Sequence, residues 1–282
     1  MAVWASSTAL AKPPAESKDL LVVGAGVLGR RAARLWRQRH DGAKVVACTL
    51  TETSHAALRA EGLTPTTAAA LAATEEQFPY VLFSAPPGRS GGAEEYAAAV
   101  EEAFRHWSGQ GGVFTSSAGV FTEDAGGRVD EASPVASTAS ASRLLAAEAA
   151  ASKAGAAVLR LAGLYDIDRG PHSYWLKVGA VKGYPEGLIN LVHYDDAAAA
   201  AAAALAAHAG EIFVVADGEP ISRRGICEAA LKSQRYKDAA MPNFEAADAP
   251  GGRGKILDAS RFRASVGWKP EYSSFVSFMA AH

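Results

Sequence analysis

Leu20-Leu21-Val22-Val23-Gly24-Ala25-Gly26-Val27-Leu28-Gly29-Arg30-Arg31 is the stretch that decides the fold. A short apolar run ends in glycines spaced G-x-G-x-x-G, and a helical pattern follows at once. That order predicts a strand, a tight turn, and a helix whose N-terminus faces a pyrophosphate. Each glycine has a physical reason. Gly24 permits the turn, Gly26 lets backbone approach the phosphates, and Gly29 lets the helix pack on the strand. Helix N–H groups and the macrodipole favour the anion. A bare structural turn is the alternative, and the flanking strand and helix patterns weigh against it.

Outward from this turn, strands and helices alternate. Apolar runs predict strands over residues 20–23, 45–49, 80–84, 113–117 and 157–161. Helical spacing predicts helices over 27–40, 53–61 with Gly62 as C-cap, 93–107 closed by the glycines at 109–112, and 137–154 stopped by Gly155. Segments 188–193, an alanine helix from Asp195, and 212–216 continue the theme. Continuous apolar strands separated by helices imply an α/β chain with a parallel sheet covered on both faces. Right-handed crossovers then give a Rossmann-type doubly wound sheet. Residues 19–170 read as the dinucleotide-binding core. Residues 171–282 read as a mixed continuation of it plus a small C-terminal substrate lobe, with a mobile loop over 247–254.

The chain has 282 residues, 49% hydrophobic and 21% charged, with a net charge of −2. That balance argues against a nucleic-acid or membrane surface. Cys48 and Cys227 are too few for a disulfide framework, so a reducing compartment is expected. No apolar run reaches the ~20 residues a membrane span needs. Residues 1–18 are rich in Ser, Ala and Pro, with no acid before Glu16 and no secretory pattern. They read as a disordered tail or the remnant of a transit peptide. The expectation is a soluble intracellular protein, in an organelle such as the plastid stroma or otherwise in the cytoplasm.

An NAD site would place an acid at the tip of the second strand. That strand ends Ala47-Cys48-Thr49-Leu50, and Glu52 lies further on. Arg30 and Arg31, with the hydroxyls of Thr49, Thr51 and Thr53, could instead meet a 2′-phosphate. This favours NADP, with NAD as the alternative. Solvated helix surface is the bland reading of both arginines.

Further stretches carry a family likeness. They are Val81-Leu82-Phe83-Ser84-Ala85-Pro86-Pro87, Thr115-Ser116-Ser117-Ala118-Gly119-Val120-Phe121, Leu159-Arg160-Leu161-Ala162-Gly163-Leu164-Tyr165, Leu188 to Ala197 (L-I-N-L-V-H-Y-D-D-A), and Val266-Gly267-Trp268-Lys269-Pro270. With the glycine turn, and in this order, the chain resembles the extended and atypical short-chain dehydrogenase/reductases, which include the NAD-dependent epimerase/dehydratases. The resemblance implies a cofactor set of Gly24, Gly26, Val27, Leu28, Gly29, Arg30, Thr49, Ser84, Ala85, Pro86 and Arg143. It also implies a catalytic Ser or Thr from the T-S-S segment and a Tyr-x-x-x-Lys dyad whose phenolate moves a proton as hydride moves at the nicotinamide.

The chain departs from that pattern at the dyad. The lysine position holds Arg143, the tyrosine position holds Ala139, and no tyrosine stands between Tyr96 and Tyr165. Arginine can hold a ribose but cannot relay a proton.

Ser116, Ser117 and Tyr165 are the catalytic candidates. For the serines the competing reading is turn capping, and for Tyr165 it is a tyrosine packed beneath the lobe. His172 and Tyr174 could replace the missing acid. His193 with Asp195 and Asp196 reads as a helix start capped by the aspartates, and no Cys/His spacing suggests a metal. Two functions remain. One is an NADP-dependent reductase or epimerase acting on a small polar metabolite or nucleotide sugar. The other is a non-catalytic dinucleotide-binding protein serving as assembly factor, complex subunit or regulator.

Overall fold

A computed structural model describes residues 17–88, 91–207, 210–245 and 252–282. Most of the expected tail, and residues 247–251 of the expected loop, lie outside the described residues. The central sheet has seven strands in the order Ile212–Val215, Ala157–Leu161, Trp107–Ser117, Phe78–Phe83, Leu20–Val23, Val45–Thr49, Thr64–Thr67. Every neighbouring pair is parallel. The chain starts mid-sheet, winds out to Thr64–Thr67, returns beside Leu20–Val23, and winds away on the other side. The doubly wound Rossmann arrangement is therefore the fold, and its direction reverses between Leu20–Val23 and Phe78–Phe83. Open α/β sheets bind ligands at the carboxyl ends of strands at such a reversal.

Alternation along the strands feeds two cores. Leu20, Val22, Leu82 and Leu159 pack under helices Val27–Arg39 and Tyr194–Leu205. Leu21, Val81, Phe114 and Val158 pack under Ala93–Arg105 and Ala139–Ala154. A third cluster joins Tyr165, Leu191, Ile226, Phe275, Phe278 and Met279. It is built on helices Arg223–Leu231 and Phe275–Ala281. Residues beyond 170 thus supply both a strand and a helix of the central layer and this separate cluster.

Several boundaries differ from expectation. The glycines at 109–112 lie inside the strand Trp107–Ser117 and do not close a helix, which already ends at Arg105. A Cβ on Gly111 would stand 1.6 Å from the carbonyl oxygen of Leu205, so glycine is needed where the alanine helix meets the strand. The strand Thr64–Thr67 was not expected because its sequence, Thr-Pro-Thr-Thr, has no apolar pattern; proline is tolerated at this sheet edge. Segment 188–193 divides into Leu188–Ile189 and Leu191–His193, which pair in different sheets. Asn190 sits at the break, donating to Lys255 O and accepting from Leu257 N.

Candidate functional site

The glycine turn closes tightly. Gly24 has φ +90°, and its N–H and that of Ala25 both donate to Cys48 O. A Cβ on Gly24 would lie 2.3 Å from Ala85 N, and one on Gly29 would lie 2.3 Å from Gly24 O. Ser84 secures the turn by donating its hydroxyl to Gly24 O at 2.9 Å. Gly26 is different: a Cβ there meets nothing within 4 Å among the described residues. It is the N-cap of helix Val27–Arg39, which has no side-chain cap and no acid in its first turn. A helix start so exposed fits an anion, and a pyrophosphate fits the open face of Gly26.

Two openings of about 610 and 490 Å³ flank this turn and share Gly26, Ser84, Ala85, Pro86, Pro87 and Tyr96. Together they make one cleft across the carboxyl ends of the strands. Thr49, Leu50, Thr51 and Ser54 line the first half. Val27, Leu28, Ser116, Ser117, Gly163 and Tyr194 are among those lining the second. Tyr96 donates its hydroxyl to Ala85 O at 2.8 Å and so fixes the shared wall.

Of the expected cofactor set, Gly24, Gly26, Val27, Leu28, Thr49, Ser84, Ala85 and Pro86 line the cleft. Gly29 instead packs the helix against the turn. Arg30 pairs with Glu61. Arg31 is held by Asp166 at 2.6 Å and Asp195 at 3.0 Å. Neither arginine is among the residues that line the half carrying Thr49, and each is paired with a carboxylate. Arg143 lines neither half; its guanidinium donates to Gly88 O at 2.9 Å.

At the second half, Ala139 is the first residue of its helix, capped by Thr138, whose hydroxyl accepts from Ala141 N. Ser117 caps the following turn by accepting from Gly119 N. Ser116 has a different partner: its hydroxyl donates to Glu148 Oε1 at 2.6 Å. Arg160 forks onto Glu148, with Nη2 2.8 Å from Oε2 and Nε 3.2 Å from both oxygens. All three residues are buried, and the Arg160 guanidinium also lies 5.0 Å over the Phe121 ring. The carboxylate thus sits beneath the cleft with its charge matched and its oxygens occupied.

Tyr165 does not approach the cleft. It is fully buried against Phe275, Phe278 and His193, and its hydroxyl has no partner among the described residues. The strand Gly163–Tyr165 pairs with Leu191–His193 and carries the ring into the lobe. His172 is likewise fully buried, with burial pulling its pKa down, and Tyr174 is exposed on the surface of its helix. The alanine helix is capped by His193, whose Nδ1 accepts from Asp195 N, and not by the aspartates. Burial pulls His193 down to about 4. Asp196 turns from its own helix to accept from Glu271 N and Tyr272 N.

Sequence reasoning missed Glu148 and Tyr194. Arg160 is the one cation inside the buried strand Ala157–Leu161, and Glu148 the one acid on helix Ala139–Ala154. A buried charge demands a partner, and that rule could have joined them. Among the described residues, no group of three or more His, Cys, Asp or Glu side chains could hold a metal ion, and no helix is long and apolar enough to cross a membrane.

No family model and no curated protein matches the chain. Solved structures do match it. A conserved protein of unknown function from Silicibacter pomeroyi is 21% identical with TM-score 0.72, covering 93% of this chain and 97% of that one. The UDP-Glc/GlcNAc 4-epimerase of Campylobacter jejuni is 16% identical with TM-score 0.74, covering 93% and 97%. The UDP-glucuronic acid 4-epimerase of Bacillus cereus, solved with NAD, is 16% identical with TM-score 0.74, covering 93% and 94%. Over nearly its whole length, the chain shares the fold of these solved structures.

Proposed function

We propose that the cleft binds a nicotinamide dinucleotide and that the protein is an atypical reductase or epimerase acting on a hydroxyl of a nucleotide sugar. The observation that carries this reading is the open face of Gly26 between the two halves of one cleft, at the reversal of the sheet. The backbone at residues 26–28 would hold the pyrophosphate. The hydroxyls of Thr49, Thr51 and Ser54 would meet one nucleoside, and Ser116 would stand at the other end. When bound, the dinucleotide supplies a hydride acceptor or donor. The fold shared with epimerases, one of them solved with NAD, supports the substrate class.

A second reading is supported by Ala139 and by the burial of Tyr165: dinucleotide binding without turnover, in an assembly factor, complex subunit or regulator. With Arg30 committed to Glu61, the preference for NADP rests on hydroxyls alone. Calorimetric titration with NAD, NADH, NADP and NADPH tests all of this. At least one nucleotide should bind at a single site, and Gly26→Val, whose side chain enters open space, should weaken it roughly tenfold or more (about 1.4 kcal/mol) without loss of fold. Binding of none of the four sinks the proposal. NADH binding as tight as NADPH removes the NADP preference.

A further inference from the structure

We propose that Ser116 and Glu148 together do the work of the missing phenol: Ser116 takes the proton of a substrate hydroxyl and passes its own to Glu148. This rests on the dinucleotide-dependent reading above and specifies the proton chemistry of the same site.

Arginine has no acceptor, and a hydroxyl has one proton and two lone pairs. Arg160 donates to both oxygens of Glu148, so the carboxyl is filled by incoming donors. The proton in the 2.6 Å contact between Ser116 and Glu148 therefore belongs to the serine. With that proton committed, Ser116 offers the cleft only lone pairs. It is unsuited to donate to a substrate carbonyl and suited to accept from a substrate hydroxyl. The two phenols on this half of the cleft, Tyr96 and Tyr194, are both pushed up by burial, away from the phenolate that a base requires, and Tyr96 already donates to Ala85 O.

The step balances. The substrate O–H bond breaks as a new O–H bond forms on Ser116. The old Ser116 O–H bond breaks as one forms on Glu148 Oε1. The electron pair left on the substrate oxygen becomes the second bond of a carbonyl, and the hydrogen on the carbinol carbon departs with its own pair. The alcohol is oxidised by two electrons, and an oxidised nicotinamide is the class of acceptor. Glu148 never touches the substrate; it positions the serine proton and receives it. Arg160, facing a neutral acid after the step, favours return of the proton by the same route.

Two measurements test this. In the protein without nucleotide, isotope-edited infrared spectra, with Glu148→Gln as the reference, should show the Glu148 carboxylate band moving in Ser116→Ala and returning in Ser116→Thr. In single-turnover reduction of bound oxidised dinucleotide, with UDP-glucose and UDP-glucuronic acid as probes, Ser116→Ala and Glu148→Gln should each slow hydride transfer about 10²–10⁴-fold with dinucleotide affinity unchanged. Ser116→Thr should recover to within about tenfold of wild type by the same measure. Ser116→Ala leaves the Glu148–Arg160 pair whole, so the serine variants decide the matter even if Glu148→Gln fails to fold. An unmoved band, or unchanged rates in Ser116→Ala, overturns the relay. Wild-type protein that binds dinucleotide and both probes but transfers no hydride overturns the relay and leaves the binding reading standing. Protein that binds no dinucleotide overturns both.

Discussion

The glycine turn and helix Ala139–Ala154, which brings Leu144 to the second half of the cleft, follow different rules. At the turn, the requirements fall on the backbone. A positive φ at Gly24 and contacts that leave no room at Gly24 and Gly29 call for glycine, whereas Gly26 presents an open face. At the helix start, the requirements fall on side chains, and side chains can be supplied from elsewhere. Ala139 offers no proton, yet a carboxylate from the third turn of the same helix reaches Ser116 from below. A turn fixed by its backbone is thus harder to rebuild than a contact made by side chains.

Removing the buried acid tests that contrast hardest. Glu148→Ala strands the Arg160 guanidinium, and loss of one partner of a buried pair costs about 3–5 kcal/mol. Chemical denaturation should show a loss of this size, and Glu148→Met with Arg160→Met should recover most of it. A loss below about 1 kcal/mol would mean that water reaches the pair, as at exposed ion pairs.

Next in size is the difference between two glycines. Gly24→Ala forces a side chain into a left-handed conformation and against Ala85 N, and should cost about 3 kcal/mol. Gly26→Ala meets nothing within 4 Å and should cost less than about 1 kcal/mol. Equal melting temperatures for the two variants would break the claim that the turn is fixed by backbone.

The smallest effect is a slope. Asp217 is buried with one oxygen unpartnered among the described residues, and burial pushes it from 3.8 up to about 7. The folded state therefore holds a proton that the unfolded state releases, and this contribution to stability is lost as pH rises from 3.8 to 7. Asp217→Asn should gain on wild type by about 2 kcal/mol between pH 5 and 6.5. His193, pulled down to about 4, acts in the opposite sense: its contribution is present above 6.5 and lost as pH falls towards 4. No change of slope in Asp217→Asn would mean that the carboxyl is hydrated.

Much of the frame was legible in the sequence because its elements are periodic and its turn depends on glycine. The strand Ala157–Leu161 and the C-cap at Gly155 lie where expected. Thr64–Thr67 was invisible because a half-exposed edge strand needs no apolar alternation. Tyr165 misled because its place after a core strand said nothing about the pairing with Leu191–His193 that carries it into the lobe. The serines were legible as cleft residues, but which one caps a turn and which meets Glu148 depends on a contact across 32 positions of sequence. Arg30 was read from its closeness to the last glycine, while its direction is set by Glu61 on a neighbouring element.

Asp196 has a consequence of its own. It belongs to a helix of the central layer, yet its carboxylate accepts from Glu271 N and Tyr272 N, just ahead of the last helix, Phe275–Ala281. That helix covers Tyr165. Swinging the lobe outward would strip a buried carboxylate of both donors, at a cost of about 1–3 kcal/mol or more. The last helix is therefore pinned to the central layer as a plate is by a rivet, and the fastening is a single side chain.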